Sequence, residues 1–224
     1  GTAVEFQARD SFPPVTDMVG GGVFDLAPGQ WTDDTSMALC IAASLTETEA
    51  YDPRDQLARF VRWYRDGYLS STGRCFDIGN QTRAALEEFE VTGEPYREAV
   101  GGMSAGNGSL MRLAPVAMAF CDDPDAAGQF SADSSRTTHP AVECVEACGV
   151  YGRLIAAAVG GASRTELYVL AADLAEQMTS PDLATILRGS YRVKERDEIS
   201  SSGYVLHSLE AALWAFASTD DFLE

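Results

Sequence analysis

The residues WTDDTSMALCIAASL at positions 31–45 set the pattern of the whole chain, a polar start followed by an apolar helix. After Thr35, apolar side chains recur at the three- and four-residue intervals of one helix face. This periodicity dominates the chain, and nothing in it resembles a strand–helix–strand series or regularly spaced alternating strands. We therefore predict an all-α fold. The predicted helices cover residues 35–45, 54–66, 80–90, 109–120, 140–159, 164–178 and 205–216.

A chain of 224 residues is long enough to bury a sizeable core, and we expect one compact multi-helix domain over residues 1–224. No run of eighteen apolar residues indicates a membrane span, and no basic start followed by an apolar core indicates a signal peptide. We expect a cytoplasmic protein without a membrane partner. Pro140 fits the first turn of its predicted helix, whereas DDPD at 122–125 predicts a turn and residues 196–203 a flexible connector.

The formal net charge is −18, and Lys194 is the single lysine. Nucleic-acid binding depends largely on Lys and Arg side chains that displace counterions, so this charge argues against a nucleic-acid partner. It would also repel any ligand that carries phosphates. Such a ligand would need bound divalent cations or backbone N–H groups at its site.

The five cysteines are odd in number and scattered, which predicts reduced thiols in the core and not disulfides. Cys144 and Cys148 share a helix face and could suggest a metal pair. No further Cys or His ligand lies near them, and packing is the favoured interpretation.

Thr32, Asp33 and Asp34 admit two interpretations. Hydroxyl and carboxylate oxygens are ligands that Mg²⁺ or Mn²⁺ prefers. The same residue types also cap helices, because they satisfy free N–H groups and oppose the helix dipole. Taken alone, this motif favours the cap.

Three further polar segments interrupt the apolar pattern: Asp77 in CFDIGNQT, Asn107 in SAGNGSLMR and His139 in SSRTTHP. Residues 106–108 (GNG) precede a predicted helix and fit either a phosphate or ribose cradle or an ordinary tight turn. Asp77 could equally cap the helix after it, and His139 could be a loop histidine satisfied by its neighbours.

In this order, these segments resemble the ADP-ribosylglycohydrolase family, which includes the dinitrogenase-reductase-activating glycohydrolases. The resemblance covers nearly the whole chain, and the combination is specific although each piece is weak. The matching segments are GTAVEF (1–6), GQWTDDTSMAL (29–39), FDIGNQTRAAL (76–86), GNGSLMRLAPVA (106–117), SRTTHP (135–140) and GYVLHSLEAALWAF (203–216).

The resemblance implies a metal-dependent hydrolase that removes ADP-ribose from modified arginine or serine side chains, or from related ADP-ribosyl compounds. Its partner would be an ADP-ribosylated protein or a small ADP-ribosyl molecule, and its cofactors two Mg²⁺ or Mn²⁺ ions. A non-catalytic ADP-ribose-binding protein, or a structural relative of the family, is the alternative.

The resemblance also implies roles for particular residues. Glu5 would otherwise be a solvated helix residue, Arg112 a buried partner for a carboxylate, and Tyr204 an anchor for the last helix. The implied metal ligands are Glu5, Thr32, Asp33 and Asp34. The implied catalytic residues are Glu5, Asp34 and Asp77. The implied substrate-binding residues are Asp33, Gly106, Asn107, Gly108, Ser109, Met111, Arg112, His139 and Tyr204.

The chain departs from the family pattern at both ends. Family members have a further helix and a GDALG-like turn before the first segment, and a second Asp-rich motif, DxDT, after the last. We expect the sequence as given to lack both terminal segments.

Overall fold

The computed structural model describes residues 2–99 and 105–220, and its regular structure is helical. Within these ranges, the only β-type pairings are two isolated bridges, Gly21 with Leu26 and Gly106 with Tyr204. The prediction of an all-α fold is confirmed. The α-helices are α1 (Asp33–Thr48), α2 (Pro53–Asp66), α3 (Asn80–Thr92), α4 (Ala114–Ala119), α5 (Pro124–Arg136), α6 (Val142–Val159), α7 (Arg164–Ala175), α8 (Pro181–Leu187) and α9 (Val205–Ser218). Short 3₁₀ turns cover Thr2–Val4, Ser190–Val193 and Arg196–Glu198.

Two predicted helix starts are wrong. Helix α4 begins at Ala114 and not at Ser109, because Pro115 has no N–H and its ring would clash with a helical carbonyl four residues earlier. Helix α6 begins at Val142, two residues after Pro140. Its N-cap, Ala141, has extended backbone angles, so Pro140 lies outside the first helical turn.

Helices α5 and α8 were not predicted. The predicted turn at 122–125 is instead the start of α5, where the side chain of Asp123 accepts a hydrogen bond from Ala126 N and Pro124 follows at the first helical position. Ser180 and Pro181 begin α8 in the same way. Both are helix-start signals that also occur in turns. The predicted connector at 196–203 begins with a 3₁₀ turn.

The buried apolar side chains form two clusters. One lies among α1, α2 and α3 and includes Met37, Phe60 and Trp63. The other lies among α6 to α9 and includes Leu154, Leu187 and Leu206. Within the described ranges, no helix combines the length and hydropathy needed to cross a membrane.

Helices α5 and α6 are the most closely packed pair. Gly152 on α6 faces Ser131 on α5, and a Cβ built at Gly152 would overlap Ser131 Oγ. The glycine therefore allows the two backbones to approach each other. Residues 137–141, which join these helices, carry the SRTTHP segment toward the starts of α1 and α3.

The cysteines are free thiols. Cys144 Sγ donates to Gly106 O (3.3 Å) and Cys148 Sγ to Ser109 Oγ (3.4 Å). Across the part of the chain that the structure describes, no three His, Cys, Asp or Glu side chains are grouped as metal ligands. The prediction that Cys144 and Cys148 are buried packing residues agrees with these positions.

Candidate functional site

A cleft of about 370 Å³ opens where four polar segments meet. The starts of α1 and α3, the loop before α4 and the α5–α6 junction contribute to it, together with Glu5 near the N-terminus. The structure thus brings together residues from all the segments that carried the functional predictions except the last. Its lining residues are Glu5, Asp33, Asp34, Asp77, Gly79, Asn80, Gln81, Thr82, Gly106, Asn107, Gly108, Met111 and His139.

Thr32 occupies the N-cap position of α1, but its side chain does not cap the helix. Its hydroxyl instead donates to Asp34 Oδ2 at 3.0 Å. Asp33 and Asp34 form the first helical turn, where the helix dipole favours negative charge. Thr32 and Asp33 are buried, whereas Asp34 is exposed to the cleft. The cap interpretation therefore fails for the Thr32 hydroxyl, although both carboxylates retain the favourable dipole position.

Asp77 does not cap α3 either. The N-cap of that helix is Gly79, which has no side chain. Asp77 has a φ of +60°, an uncommon backbone conformation for a residue other than glycine. Such conformations cluster at functional sites, where the surrounding structure maintains them. Here the conformation accompanies a carboxylate on the cleft wall.

The cleft carboxylates repel one another and lack cationic partners. In the part of the chain that the structure describes, Glu5, Asp33, Asp34 and Asp77 form no ion pair with Lys or Arg. Burial, followed by the neighbouring charges of Asp34 and Asp77, raises the pKa of Asp33 to about 8. Burial and the charges of Glu5 and Asp34 raise the pKa of Asp77 to about 6. Burial and Asp34 also raise the pKa of Glu5.

This donor set fits a hard divalent cation in two respects. Thr32 and the four carboxylates offer only oxygen atoms, which suit Mg²⁺ or Mn²⁺ better than Zn²⁺. Their uncompensated negative charge would also be relieved by a cation. The fit is one of chemistry and charge, because the carboxylates surround the cleft without three of them converging as a ligand group within the described ranges.

The loop at 106–108 is held by the last helix. Asn107 N donates to Gly203 O (2.9 Å), and Asn107 Nδ2 donates to Ser208 Oγ (2.8 Å). The side-chain amide of Asn107 thus uses one of its N–H groups to bind α9. A Cβ built at Gly108 would lie 2.8 Å from His139 Cε1 and 2.9 Å from Nε2. The imidazole ring can lie this close to the loop because residue 108 is a glycine and has no side chain.

Ser109 and Arg112 are buried and do not line the cleft, so their predicted contact with substrate stays a prediction. Ser109 is buried, and its hydroxyl bonds with Ser135 Oγ and Cys148 Sγ. Arg112 is fully buried and forms no ion pair with a carboxylate among the described residues. Met111, between them, does line the cleft.

Tyr204 is not among the residues that line the cleft, although its backbone forms an isolated bridge with the cleft residue Gly106. It precedes α9, packs against the apolar cluster of α6 to α9, and meets the ring of His207 edge-on with centroids 5.0 Å apart. The side chain anchors the last helix, which is the alternative that the sequence left open. Its role in substrate binding stays a prediction.

His139 lies at the wall of the cleft and is only 3% exposed. Its Nδ1 is 2.8 Å from Thr138 Oγ1. Burial, with the charge of Arg112 second, lowers the pKa of the imidazole to about 3. The ring is therefore neutral at physiological pH, so that it can form hydrogen bonds but carries no positive charge.

Sequence reasoning missed Gln81, which lines the cleft beside Asn80 and Thr82. Both polar atoms of its side-chain amide are buried and have no hydrogen-bond partner among the described residues. Buried polar groups are normally paired, so an unpaired amide in a cleft indicates a group that a ligand can satisfy. The available signal was the polar run NQT directly after Asp77.

Comparison with known proteins identifies the family of the chain. The family model described as ADP-ribosylglycohydrolase matches residues 1–224. The chain is 43% identical over 222 residues to an ADP-ribosylarginine hydrolase Tri1 from Pseudomonas putida (strain GB-1), covering 99% of this chain and 58% of that relative. A protein of the same name from Serratia proteamaculans (strain 568) is 41% identical over 223 residues, covering 99% and 59%.

Structural comparison gives the same result. A solved chain described as an ADP-ribosylglycohydrolase-related protein complex superposes with a TM-score of 0.84 at 39% identity, covering 99% of this chain and 71% of the other. The present chain thus spans somewhat less than three fifths of the length of the two sequence relatives. The chain belongs to the ADP-ribosylglycohydrolase family.

Proposed function

We propose that this protein hydrolyses the glycosidic bond that joins ADP-ribose to a modified arginine side chain, with divalent cations as cofactors. One observation carries the proposal: four carboxylates without ion-pair partners among the described residues share a cleft with a neutral histidine and an unsatisfied glutamine amide. The two sequence relatives are named as ADP-ribosylarginine hydrolases, which supports the reaction and the arginine acceptor.

The charge of the cleft favours arginine over serine as the acceptor. A guanidinium group is a cation that carboxylates bind through charge-assisted hydrogen bonds. A serine hydroxyl is neutral and gains nothing comparable from Glu5, Asp34 and Asp77. The neutral side of the cleft, with Asn80, Gln81 and His139, offers hydrogen-bonding groups without negative charge to the sugar part of the substrate.

Hydrolysis at the anomeric carbon passes through a state with oxocarbenium character, which nearby carboxylates stabilise. In this scheme water adds to the anomeric carbon and the bond to the acceptor nitrogen breaks. Asp77, with its pKa raised to about 6, accepts the proton that the water loses. Glu5, whose pKa is also raised, returns a proton to the departing guanidine.

Mg²⁺ or Mn²⁺, held by Thr32, Asp33 and Asp34, would supply charge neutralisation and orientation of the ribose hydroxyls. The chain's own contribution is to gather these oxygens at the first turn of α1 and to hold Asp34 through the Thr32 hydroxyl. We further propose a cytoplasmic location, which the free thiols of the five cysteines support.

The proposal is tested by incubating the protein with an ADP-ribosylated arginine peptide and measuring released ADP-ribose with Mg²⁺, with Mn²⁺ and with a chelator. We expect release that requires the cation and is abolished in Asp34→Asn and Asp77→Asn. Asp66→Asn, an exposed carboxylate at the end of α2, is the matched control and should retain activity. Absence of release with either cation rejects the hydrolase.

Binding of ADP-ribose without turnover is the second candidate. It is favoured by the lack of three converging metal-binding side chains in the described part of the chain. Calorimetric titration with ADP-ribose distinguishes the two. Micromolar binding by a protein that releases no ADP-ribose supports this candidate, and release of ADP-ribose rejects it.

A further inference from the structure

Arg112 is a buried cation, and among the described residues its hydrogen bonds go only to neutral groups. Its guanidinium is completely inaccessible to solvent and lies over the ring of Phe60, 4.6 Å from the centroid. Nη1 donates to Met37 Sδ at 3.8 Å. Nη2 lies 3.3 Å from Ser134 O, 3.2 Å from Thr137 Oγ1 and 2.7 Å from Thr138 Oγ1. Burial without a counter-charge is costly, so the position calls for a reason beyond packing.

Thr138 connects this guanidinium to the cleft. Its Oγ1 accepts from Arg112 Nη2 and is also 2.8 Å from His139 Nδ1. The side chain of Thr138 is fully buried, so its hydroxyl hydrogen needs an acceptor inside the protein. Among the described residues, His139 Nδ1 is the one other polar atom in hydrogen-bonding contact with Thr138 Oγ1.

The direction of these bonds determines the imidazole tautomer. A proton on Nδ1 would make that nitrogen a donor and leave the Thr138 hydroxyl without an acceptor. With the proton on Nε2, Arg112 Nη2 donates to Thr138 Oγ1 and Thr138 Oγ1 donates to His139 Nδ1, so the Thr138 hydroxyl is satisfied both as acceptor and as donor. The neutral tautomer of His139 is therefore set by the hydrogen bond that its other nitrogen makes.

The protonated nitrogen is the one beside the cleft. Nε2 lies next to Gly106 and Gly108, where a Cβ at either position would approach it to 3.6 Å and 2.9 Å. The backbone of His139 is held separately by Ser135, which accepts from His139 N at 2.7 Å and donates its hydroxyl to His139 O at 2.9 Å. Ser135 holds the main chain, and Thr138 directs the ring.

We propose that Arg112 and Thr138 are positioning residues that hold His139 as the tautomer with its proton on Nε2, so that the cleft contains a neutral N–H donor. The effect on turnover rests on the proposed hydrolase function. The tautomer does not, because it is a property of the protein without substrate.

Long-range ¹H–¹⁵N correlation spectra of the labelled full chain test the tautomer directly. The chain has two histidines, and the spectrum of His207→Gln assigns the signals of His139. We expect a pyridine-type Nδ1 and a pyrrole-type Nε2 in the wild type. A pyrrole-type Nδ1, or a mixture of both tautomers, overturns the proposal.

Thr138→Val and Thr137→Val form a matched pair. Each removes one buried hydroxyl that accepts a hydrogen bond from Arg112, but only Thr138 contacts the imidazole. We expect Thr138→Val to give a mixture of tautomers, Thr137→Val to keep the wild-type pattern, and Thr138→Ser, which keeps a hydroxyl, to restore it. Identical spectra for both valine variants overturn the proposal, and the serine variant gives a second test where the valine variant does not fold.

A kinetic measurement then separates this inference from the proposed function. Where the protein releases ADP-ribose, Thr138→Val should lower kcat/KM by about tenfold, the effect expected for loss of one oriented hydrogen bond, while Thr137→Val should not. Equal losses in both valine variants overturn the positioning role. Where no release occurs with any cation, the hydrolase fails and the NMR result still decides the tautomer.

Discussion

The hydroxyl of Thr32 lies 3.0 Å from Asp34 Oδ2, so the N-cap residue of α1 is bonded to a cleft carboxylate and not to its own helix. Helix α7 shows the ordinary arrangement, in which Ser163 Oγ accepts from Glu166 N within a capping box. Loss of a side-chain cap typically costs about 1 kcal/mol. The start of α1 thus lacks the stability of a side-chain cap beside a cleft that four carboxylates line. Such a loss of stability is common at functional sites.

Gly108→Ala should impair the cleft through His139. The added methyl would lie 2.8 Å from His139 Cε1, so the ring or the loop must move, at a cost of about 1–3 kcal/mol for overpacking. We expect weaker ADP-ribose binding by calorimetry and a lower Tm. Gly203→Ala is the control, because a Cβ there meets nothing within 4 Å. If both variants bind like the wild type, Gly108 is not needed for ring clearance.

Gln81→Leu should separate stability from binding. Both polar atoms of this amide are buried without a partner in the described part of the chain, so their removal should leave the free energy of unfolding unchanged or raise it. Binding of ADP-ribose should weaken by about tenfold, as expected for a lost hydrogen bond.

Gln56→Leu is the matched control for that variant. Gln56 on α2 is also buried with both amide atoms unpartnered, but it does not line the cleft. Urea unfolding should give the two leucine variants similar stability changes, and calorimetry should show weaker binding in Gln81→Leu alone. Equal binding losses would show that Gln81 acts through the fold.

Asp33→Asn should stabilise the protein in the absence of divalent cations. Because the pKa of Asp33 is raised to about 8 in the folded state, its contribution to stability is complete below the unfolded value of 3.8 and is lost as the pH rises toward 8. Asparagine does not titrate. The advantage of the variant should therefore grow between pH 4 and 8, by less than roughly 1.4 kcal/mol per pH unit.

Thermal unfolding with and without Mn²⁺ extends this test. A cation that binds only the folded protein should raise the Tm of the wild type, and Asp33→Asn should respond less. A variant that is less stable than the wild type at pH 8 without cation would contradict the argument from charge repulsion.

His139→Gln should change how the free energy of unfolding depends on pH below about 6.5. Since burial lowers the pKa of His139 to about 3, protonation favours the unfolded chain, where the value is 6.5. The contribution of this group is complete above pH 6.5 and is lost as the pH falls toward 3. Urea unfolding at pH 7 and 5 should show the wild type losing stability relative to the variant. A constant difference between the two proteins would show that the imidazole is not held neutral.

Periodicity predicted the long helices well because their apolar faces are what the core buries. Helices α5 and α8 were not predicted, because Asp123–Pro124 and Ser180–Pro181 are signals that turns and helix starts share. Only the helical hydrogen bonds that follow distinguish the two.

The residues of the site were predicted less completely than the helices. Asp33, Asp77 and His139 meet in the cleft as the family resemblance implied. Arg112 belongs to the same motif as Met111, yet the two side chains leave the turn in different directions, one into the core and one into the cleft. The order of residues in a motif does not show where their side chains point. Periodicity does not show it either when the residues lie in an irregular loop.

The contact between Gly152 and Ser131 has a consequence for how the molecule tolerates change. Because no methyl group fits between α5 and α6 there, any side chain larger than glycine at 152 must displace Ser131 or push the two helices apart. The junction that bears His139 joins these two helices, so we expect an alanine at 152 to shift the imidazole without altering any residue of the cleft. A remote, chemically mild mutation would therefore register as a change in recognition.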